Sequence, residues 1–346
     1  MSEDIEDVNL SDEEEELYEH FRFVAEPGLV VVRIDKFLMD RMPSTSRSKI
    51  QMAAKNGTVL VNKEKVKQNY KVKPKDEVTI VLPYPMREIE LLPENIPIEI
   101  EYEDDVLAIV HKPSSMVVHP GFGNYQGTLV NALVYHFDNL PHKIQDYFGR
   151  PGLVHRLDKH TTGLMVIAKT EQALTHLAKQ FHDRTTERRY WALVWGDVSE
   201  PGTVTGNLGR SLKNRKLITV FPDGDYGKHA VTHYKPLRQF GLVTLIECKL
   251  ETGRTHQIRA HMKHIGHTLF NDKEYGGDAV LKGMKNSKYV RFIENCFELL
   301  DGQALHAKTL GIEHPVSKEY MRFDSELPSG FQEVLSKWEK YTKELP

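Results

Sequence analysis

Apolar residues recur at helical spacing in "RIDKFLMDRM", where Ile34, Phe37, Leu38 and Met42 share one face. The next stretch, "PSTSRSKIQMAAKNG", reads as a capped helix. Ser44, Thr45 or Ser46 supplies the N-cap, Ile50, Ala53 and Ala54 face inward, and Gly57 takes the C′ position. Short strand patterns follow in "TVLV" and "EVTIVL", with a Lys-rich turn between them. The proline-rich "PYPMREIELLPENIPIEI" breaks the periodicity and predicts an extended linker.

Beyond it, strands and short helices alternate. "DVLAIVHKP" predicts a strand ended by proline, and "GTLVNALVYHF" a helix capped by Thr128. "TEQALTHLAKQFHDR" places Ala173, Leu174, Leu177, Ala178 and Phe181 on one helical face. In "RYWALVWG", Tyr190, Ala192 and Val194 point to one side of a strand, and Trp191, Leu193 and Trp195 to the other. "LVTLIECKL" is a further strand. "THQIRAHMKHIG" is a helix with Thr255 as N-cap, a stripe of Ile258, Met262 and Ile265, and Gly266 past its end. Mixed strands with inserted helices predict an α+β domain. No Gly-rich phosphate loop follows a strand, and no long-period repeat is present.

Composition narrows the class. The chain has 346 residues, enough for two domains, and 40% hydrophobic residues, enough for packed cores. Its two cysteines, Cys248 and Cys296, form no CxxC pair, which excludes a disulfide framework or Cys-based zinc site and points to a reducing compartment. The acidic start has no apolar run, so it is not a signal peptide, and no stretch reaches the roughly 18 apolar residues of a membrane span. The expectation is a soluble, cytoplasmic monomer with no membrane contact.

Charge is unevenly placed. Residues 1–20 hold ten Asp or Glu and no Lys or Arg, which predicts a disordered acidic tail. Residues 31–83 hold twelve Lys or Arg against five Asp or Glu. Arg47 and Lys49 fall in the first turn of the second helix, where the macrodipole disfavours cations by roughly 0.3–1 kcal/mol each. A phosphate bound there reverses the sign, so both are candidate RNA contacts.

The chemistry centres on "GLVHRLDKHTTGLMVIAKT". Asp158 stands where a basic turn enters a strand-like run. A lone Asp at such a place is commonly a turn former. Arg254, in "ETGRTHQIRAH", immediately precedes a helix N-terminus, again the wrong end for a cation, so it calls for an anion: phosphate or carboxylate. His256, His261, His264 and His267 are numerous but scattered around their helix, which predicts no metal site.

These stretches resemble two known families. "RIDKFL", "SRSKIQ", "NGTVLVN" and "KPKDEV" are similar to the S4 RNA-binding module, with Lys75 where the family usually has Gly. "HRLDKHTTGLMVIAKT", "ERRYWALVWG", "LETGRTHQIRAH" and "QALHAKTLGIEHP" resemble the successive motifs of the RluA-type pseudouridine synthases, in the ribosomal large-subunit branch. The commonest family form has Thr-Ser-Gly where this chain has Thr161-Thr162-Gly163. The resemblance implies an acidic tail (1–20), an S4-like domain (21–83), a linker (84–100) and a catalytic domain (101–346) on a mixed, mostly antiparallel sheet with inserted helices. It also implies a catalytic Asp158, a Tyr190 that stacks on the target base, and an Arg254 that pairs with Asp158. Arg156 matches the residue that enters the RNA when the uridine flips out, and His155 beside it is a candidate RNA contact. Lys112, His119 and His306 stand in family-like stretches without an assigned role.

The implied reaction breaks the N-glycosidic bond of a uridine, turns the base and rejoins it through carbon 5. It needs no metal, redox or nucleotide cofactor. It needs a carboxylate that attacks C1′, attacks C6 or removes the C2′ proton. The expected partner is RNA, most of all large-subunit ribosomal RNA. Transfer RNA is the alternative within the family. A non-catalytic ribosome-assembly factor would share the S4 module but has no need of Asp158, Tyr190 and Arg254 together. A nucleoside or glycoside hydrolase would use paired acids, and these motifs carry one.

Overall fold

The computed structural model describes residues 18–42, 45, 47–82, 91–121, 123–141, 150–214, 217–284 and 286–343. The acidic tail up to residue 17, the candidate caps Ser44 and Ser46, the Lys49 side chain and the first half of the linker lie outside the described residues. Described residues up to 82 form one compact unit, and those from 91 onward form a second.

The first unit runs β1 (Tyr18–Val24), β2 (Val32–Arg33), α1 (Ile34–Arg41), α2 (Arg47–Lys55), β3 (Val59–Val61), β4 (Glu64–Lys65), β5 (Lys71–Val72) and β6 (Glu77–Leu82). Its sheet has the order β1-β6-β3-β4, and β2 pairs separately with β5. Ile34, Phe37, Leu38, Ile50 and Ala54 pack on Val59 and Val78, as the helical spacing predicts. The first strand begins at Tyr18, within the span expected as tail, and Tyr18 and Glu19 pair with Leu82 and Val81 of β6. Lys75 takes the positive φ of 67° that the usual glycine would adopt. Asp76 holds that turn by accepting from the Lys73 amide (2.8 Å), Tyr70 Oη (3.0 Å) and Asn62 Nδ2 (3.0 Å).

The second unit begins with β7 (Glu99–Glu103), β8 (Leu107–Lys112), α3 (Leu129–His136), β9 (Thr162–Ala168), α4 (Glu171–Asp183) and β10 (Glu187–Trp195). It continues with β11 (Gly202–Arg210), β12 (Ile218–Phe221), β13 (Lys228–Gln239), β14 (Val243–Leu250) and α5 (Gln257–His264). It closes with α6 (Ser287–Phe297), β15 (Leu305–Glu313), β16 (Tyr320–Asp324) and α7 (Ser329–Lys343). Residues 91–98 are less a free linker than a strap on α3: Leu92 O accepts from Asn131 Nδ2 and Ile96 O meets His136 Nε2, both at 2.8 Å.

A ten-stranded sheet spans this unit in the order β12-β11-β13-β14-β10-β15-β9-β8-β7, with β16 on β15. Its described pairings are antiparallel except β15 with β9, which run parallel over two register pairs, His306↔Thr162 and Ala307↔Gly163. Alternation along β10 sends Tyr190, Ala192 and Val194 into one core, and Leu193 and Trp195 into the core under α6 and α7. Each fully buried large side chain contributes roughly 1.5–3 kcal/mol. Helix α4 covers β8 and β9 through Ala173, Leu174 and Leu177. Among the described residues no helix is long and apolar enough to cross a membrane.

One predicted cap is corrected. Helix α5 starts at Gln257, and the residue before it is His256 in the left-handed region (φ 52°), not Thr255. The Gln257 side chain provides the local satisfaction: its Oε1 accepts from the Arg254 amide (3.0 Å) and Thr252 Oγ1 (2.7 Å).

Candidate active site

Asp158 sits on the bend that leads into β9. The bend is held from below by Lys112, which is 1% exposed at the end of β8. Its Nζ donates to the carbonyls of Pro113 (2.7 Å), Met116 (2.9 Å) and Lys159 (2.9 Å). Three acceptors match the three protons of an ammonium. Burial pushes this ammonium down to about 7, and the charge of Asp158 opposes the shift. Past the bend, Thr161 N donates to Asp158 O at 3.1 Å. The carboxylate, 18% exposed, faces an open cleft of about 760 Å³.

The cation that meets Asp158 is Arg259. From the first turn of α5, its Nη1 donates to Asp158 Oδ2 at 3.3 Å. Its Nε and Nη2 grip both oxygens of Asp272 at 2.7 and 2.8 Å, and Nη2 also reaches Glu274 at 2.6 Å. The guanidinium lies 4.8 Å from the centre of the Tyr275 ring. Burial alone would lower the pKa of Arg259, but Asp272, Asp158 and Glu274 together raise it further above its ordinary value. His256 stands 4.0 Å from Asp158, and burial favours its neutral form against the pull of that carboxylate.

The expected pairing of Arg254 with Asp158 is therefore corrected. Arg254 is exposed at the cleft edge and donates from Nε to His229 O at 3.3 Å. Five residues further on, Arg259 points inward to Asp272 and Asp158. Tyr190, 8% exposed, lines the same cleft from β10, and burial raises its hydroxyl pKa. Arg156 is exposed on the cleft wall.

His155, expected as an RNA contact, lines the cleft with its ring engaged on the protein. Its ring stacks on Phe181 at 4.5 Å, and its Nε2 accepts from the Val166 amide at 3.1 Å. Burial pushes it down to about 3, so at neutral pH it ties the bend to β9 without offering a charge to phosphate. His306 likewise works behind the site, bonded to Thr162 and Ser325 at 2.7 Å each. In the first unit, Arg47 is half exposed but donates from Nε to the buried Asp35 at 3.0 Å, alongside Arg33 and Gln51.

Sequence reasoning missed Arg259, Asp272 and Lys112 as a set. The signal lay in "NDKEY", where two acids follow the helix at a distance that a buried Arg on α5 can use. Nothing in the periodicity said which helical arginine turned inward.

Residues 106–264 match the RNA pseudouridylate synthase family, and residues 32–78 match the S4 domain. An uncharacterized RNA pseudouridine synthase of Chlorobaculum parvum is 45% identical over 88% of this chain and 94% of its own length. Ribosomal large subunit pseudouridine synthase D of Zymomonas mobilis is 41% identical over 87% of this chain and 92% of its own. The solved human RNA pseudouridylate synthase domain containing 4 shares the fold, at 23% identity and a TM-score of 0.53 over 70% of this chain and 93% of that one. With the S4 module ahead of a sheet that brings Asp158 and Arg259 to one cleft, the chain belongs to the RluA-type RNA pseudouridine synthases.

Proposed function

We propose that this pseudouridine synthase modifies uridines of large-subunit ribosomal RNA and that Asp158 is its reacting carboxylate. The observation that carries the mechanism is the single hydrogen bond from Arg259 to Asp158 Oδ2. It leaves the other oxygen facing the cleft, with the opposing charge fixed by Asp272 rather than free to follow the RNA. The ribosomal target is supported by the S4 module and by relatives from Zymomonas mobilis and Haemophilus influenzae named ribosomal large subunit pseudouridine synthase D.

In this reading the target uridine leaves its stack, at a cost of a few kcal/mol, and lies on Tyr190. Arg156 fills the vacancy with its guanidinium plane. Asp158 acts on the ribose or ring, the N1–C1′ bond breaks, and C5–C1′ forms. The C5 proton is lost and N1 gains one, so the product is an isomer. Tyr190 Oη is the group proposed to help pass the C5 proton out of the site, giving up its own proton as it accepts that one. Arg259 balances the carboxylate charge once RNA excludes water.

The test is nucleotide-resolution mapping of pseudouridine in total RNA from cells with the protein, without it, and with Asp158→Asn. The expected result is loss of signal at defined large-subunit uridines, unrestored by the variant, with a purified rate at least about 10³-fold down. Lost sites confined to transfer RNA would overturn the ribosomal target. Turnover by Asp158→Asn within tenfold of wild type would overturn the mechanism.

A further inference from the structure

Among the described residues Arg188 is a buried cation with no hydrogen-bond or carboxylate partner. It lies two residues before Tyr190 on β10 and lines the same cleft, yet is only 7% exposed. Its Nε is enclosed without a hydrogen-bond acceptor, and its guanidinium bonds to no described residue. Around it stand the Phe181 ring, the Tyr190 hydroxyl, whose interaction favours the charge, and Arg184. The Phe181 ring centre is 5.5 Å from its Cζ, and its charged neighbour Arg184 repels it. A Cβ on residue 253 would come within 3.0 Å of Nη1, so Gly253 leaves the guanidinium its room. The nearby cleft carboxylate Glu251 is bonded to His233 at 2.7 Å instead.

An arginine does not shed its proton, so burial here leaves an uncompensated charge. Among the described residues of this unit the one other guanidinium buried to that degree, Arg259, has three carboxylates. An unpaired charge of this kind is maintained at a cost to the free protein, and an anion arriving with the substrate removes that cost. The guanidinium fork matches the oxygens of a phosphate. Arg184 and Arg254, exposed on the same cleft and without ion pairs among the described residues, extend the positive potential outward.

We propose that Arg188 binds one of the two phosphodiesters flanking the target uridine, anchoring the flipped nucleotide over Tyr190. This rests on the reading that the uridine is seated between Asp158 and Tyr190. It assigns Arg188 a role distinct from both: it holds the backbone while they act on ribose and base. Because the site is enclosed, its phosphate contact forms only after the nucleotide has entered the cleft, unlike contacts made by surface lysines.

The experiment compares wild type with Arg188→Met, which keeps the length and removes the charge. The RNA is a stem-loop carrying whichever uridine the wild-type enzyme converts in cellular RNA. A transfer-RNA target would thus sink the ribosomal reading and leave this test intact. The variant is expected to raise Kd roughly ten- to a hundredfold. It should flatten the slope of log Kd against log salt by about 0.7–0.9, the signature of one lost phosphate. It should melt no lower than wild type, since no hydrogen-bond or carboxylate partner is lost. A methylphosphonate scan of the linkages around the uridine supplies the second arm. One flanking linkage should cost wild type a comparable loss, and the same replacement should cost Arg188→Met little further. Equal sensitivity of both proteins at every linkage would overturn the proposal. So would an unchanged Kd with a shifted pH profile of the single-turnover rate, which would assign the charge to the Tyr190 hydroxyl. A variant that unfolds or melts well below wild type would make Arg188 a structural cation.

Discussion

Arg259 meets Asp158 with one nitrogen while Asp272 holds two others, so the arginine is aimed by a residue that does not face the cleft. Asp272 is fully buried and also accepts from the Tyr275 amide at 3.2 Å. Arg259→Lys keeps a charge but loses the fork. Leaving Asp272 poorly paired should cost about 3–5 kcal/mol, a fall in Tm of roughly 6–20 °C. Asp272→Asn should lower the single-turnover rate by about 10²-fold through misaimed Arg259, with a much smaller change in Kd for RNA. Thermal melts and rates at saturating RNA check both. A wild-type rate in Asp272→Asn would show that the fork does not matter to chemistry.

Arg254 should behave as an RNA contact. Its Nε bonds a backbone carbonyl at the cleft edge, and no carboxylate depends on it. Arg254→Ala is expected to weaken RNA binding a few-fold and flatten its salt dependence, with the greater part of the effect in Kd. Titration at several salt concentrations, paired with single-turnover rates, separates the two. A rate collapse at saturation would return Arg254 to the reacting centre.

Three buried histidines set an acid limit on stability. Burial holds His261 down to about 4, and His155 and His306 to about 3, against an ordinary value of 6.5. Below 6.5 the unfolded chain takes up three protons that the folded chain refuses, so stability falls as pH falls. Between about pH 5 and 6.5, where most carboxylates are ionised in both states, the slope should approach roughly 3–4 kcal/mol per pH unit. Urea unfolding across that window measures it, and His306→Gln should remove about a third. A flat profile would mean that these rings are solvated in the folded chain.

Deleting residues 1–82 should weaken RNA binding and reduce its salt dependence while the catalytic unit keeps its melting transition. The first unit has its own core around Phe37 and Leu38, and its own sheet. Arg47 is anchored by Asp35, itself brought down to about 2 because Gln51, Arg33 and Arg47 outweigh its burial. The cation is therefore positioned in advance of any RNA. Filter binding and calorimetry of the truncated chain test this. Loss of the catalytic unit's transition would show that it needs the module to fold.

Much of the scaffold was legible because periodicity and caps are local. The alternation in "RYWALVWG" placed Tyr190 and Trp195 on opposite faces, and Thr128 caps α3 as its position suggested. The choice between Arg254 and Arg259 was not local. It depended on Asp272, a residue from beyond the helix that reaches back to claim the guanidinium, and on Gln257 displacing Thr255 at the helix start. The partners of His155 were equally non-local, since Phe181 and the Val166 amide come from other elements.

The parallel meeting of β9 and β15 is short and closely fitted. Gly163 has a φ of 111°, and a Cβ there would lie 2.3 Å from Ala307 O, while Thr162 Oγ1 meets His306 Nδ1 at 2.7 Å across 144 residues of chain. Asp158 stands just before this joint, so β15 adds a last support to a bend already held by Lys112 and His155. During synthesis at roughly 5–20 residues per second, the ribosome makes the carboxylate on the order of ten seconds before it makes the strand that steadies it. A nascent chain thus carries every residue of the Asp158–Arg259 pair before that strand is made. The joint that seats the β9 side of the site is therefore among the last parts of the sheet to be made.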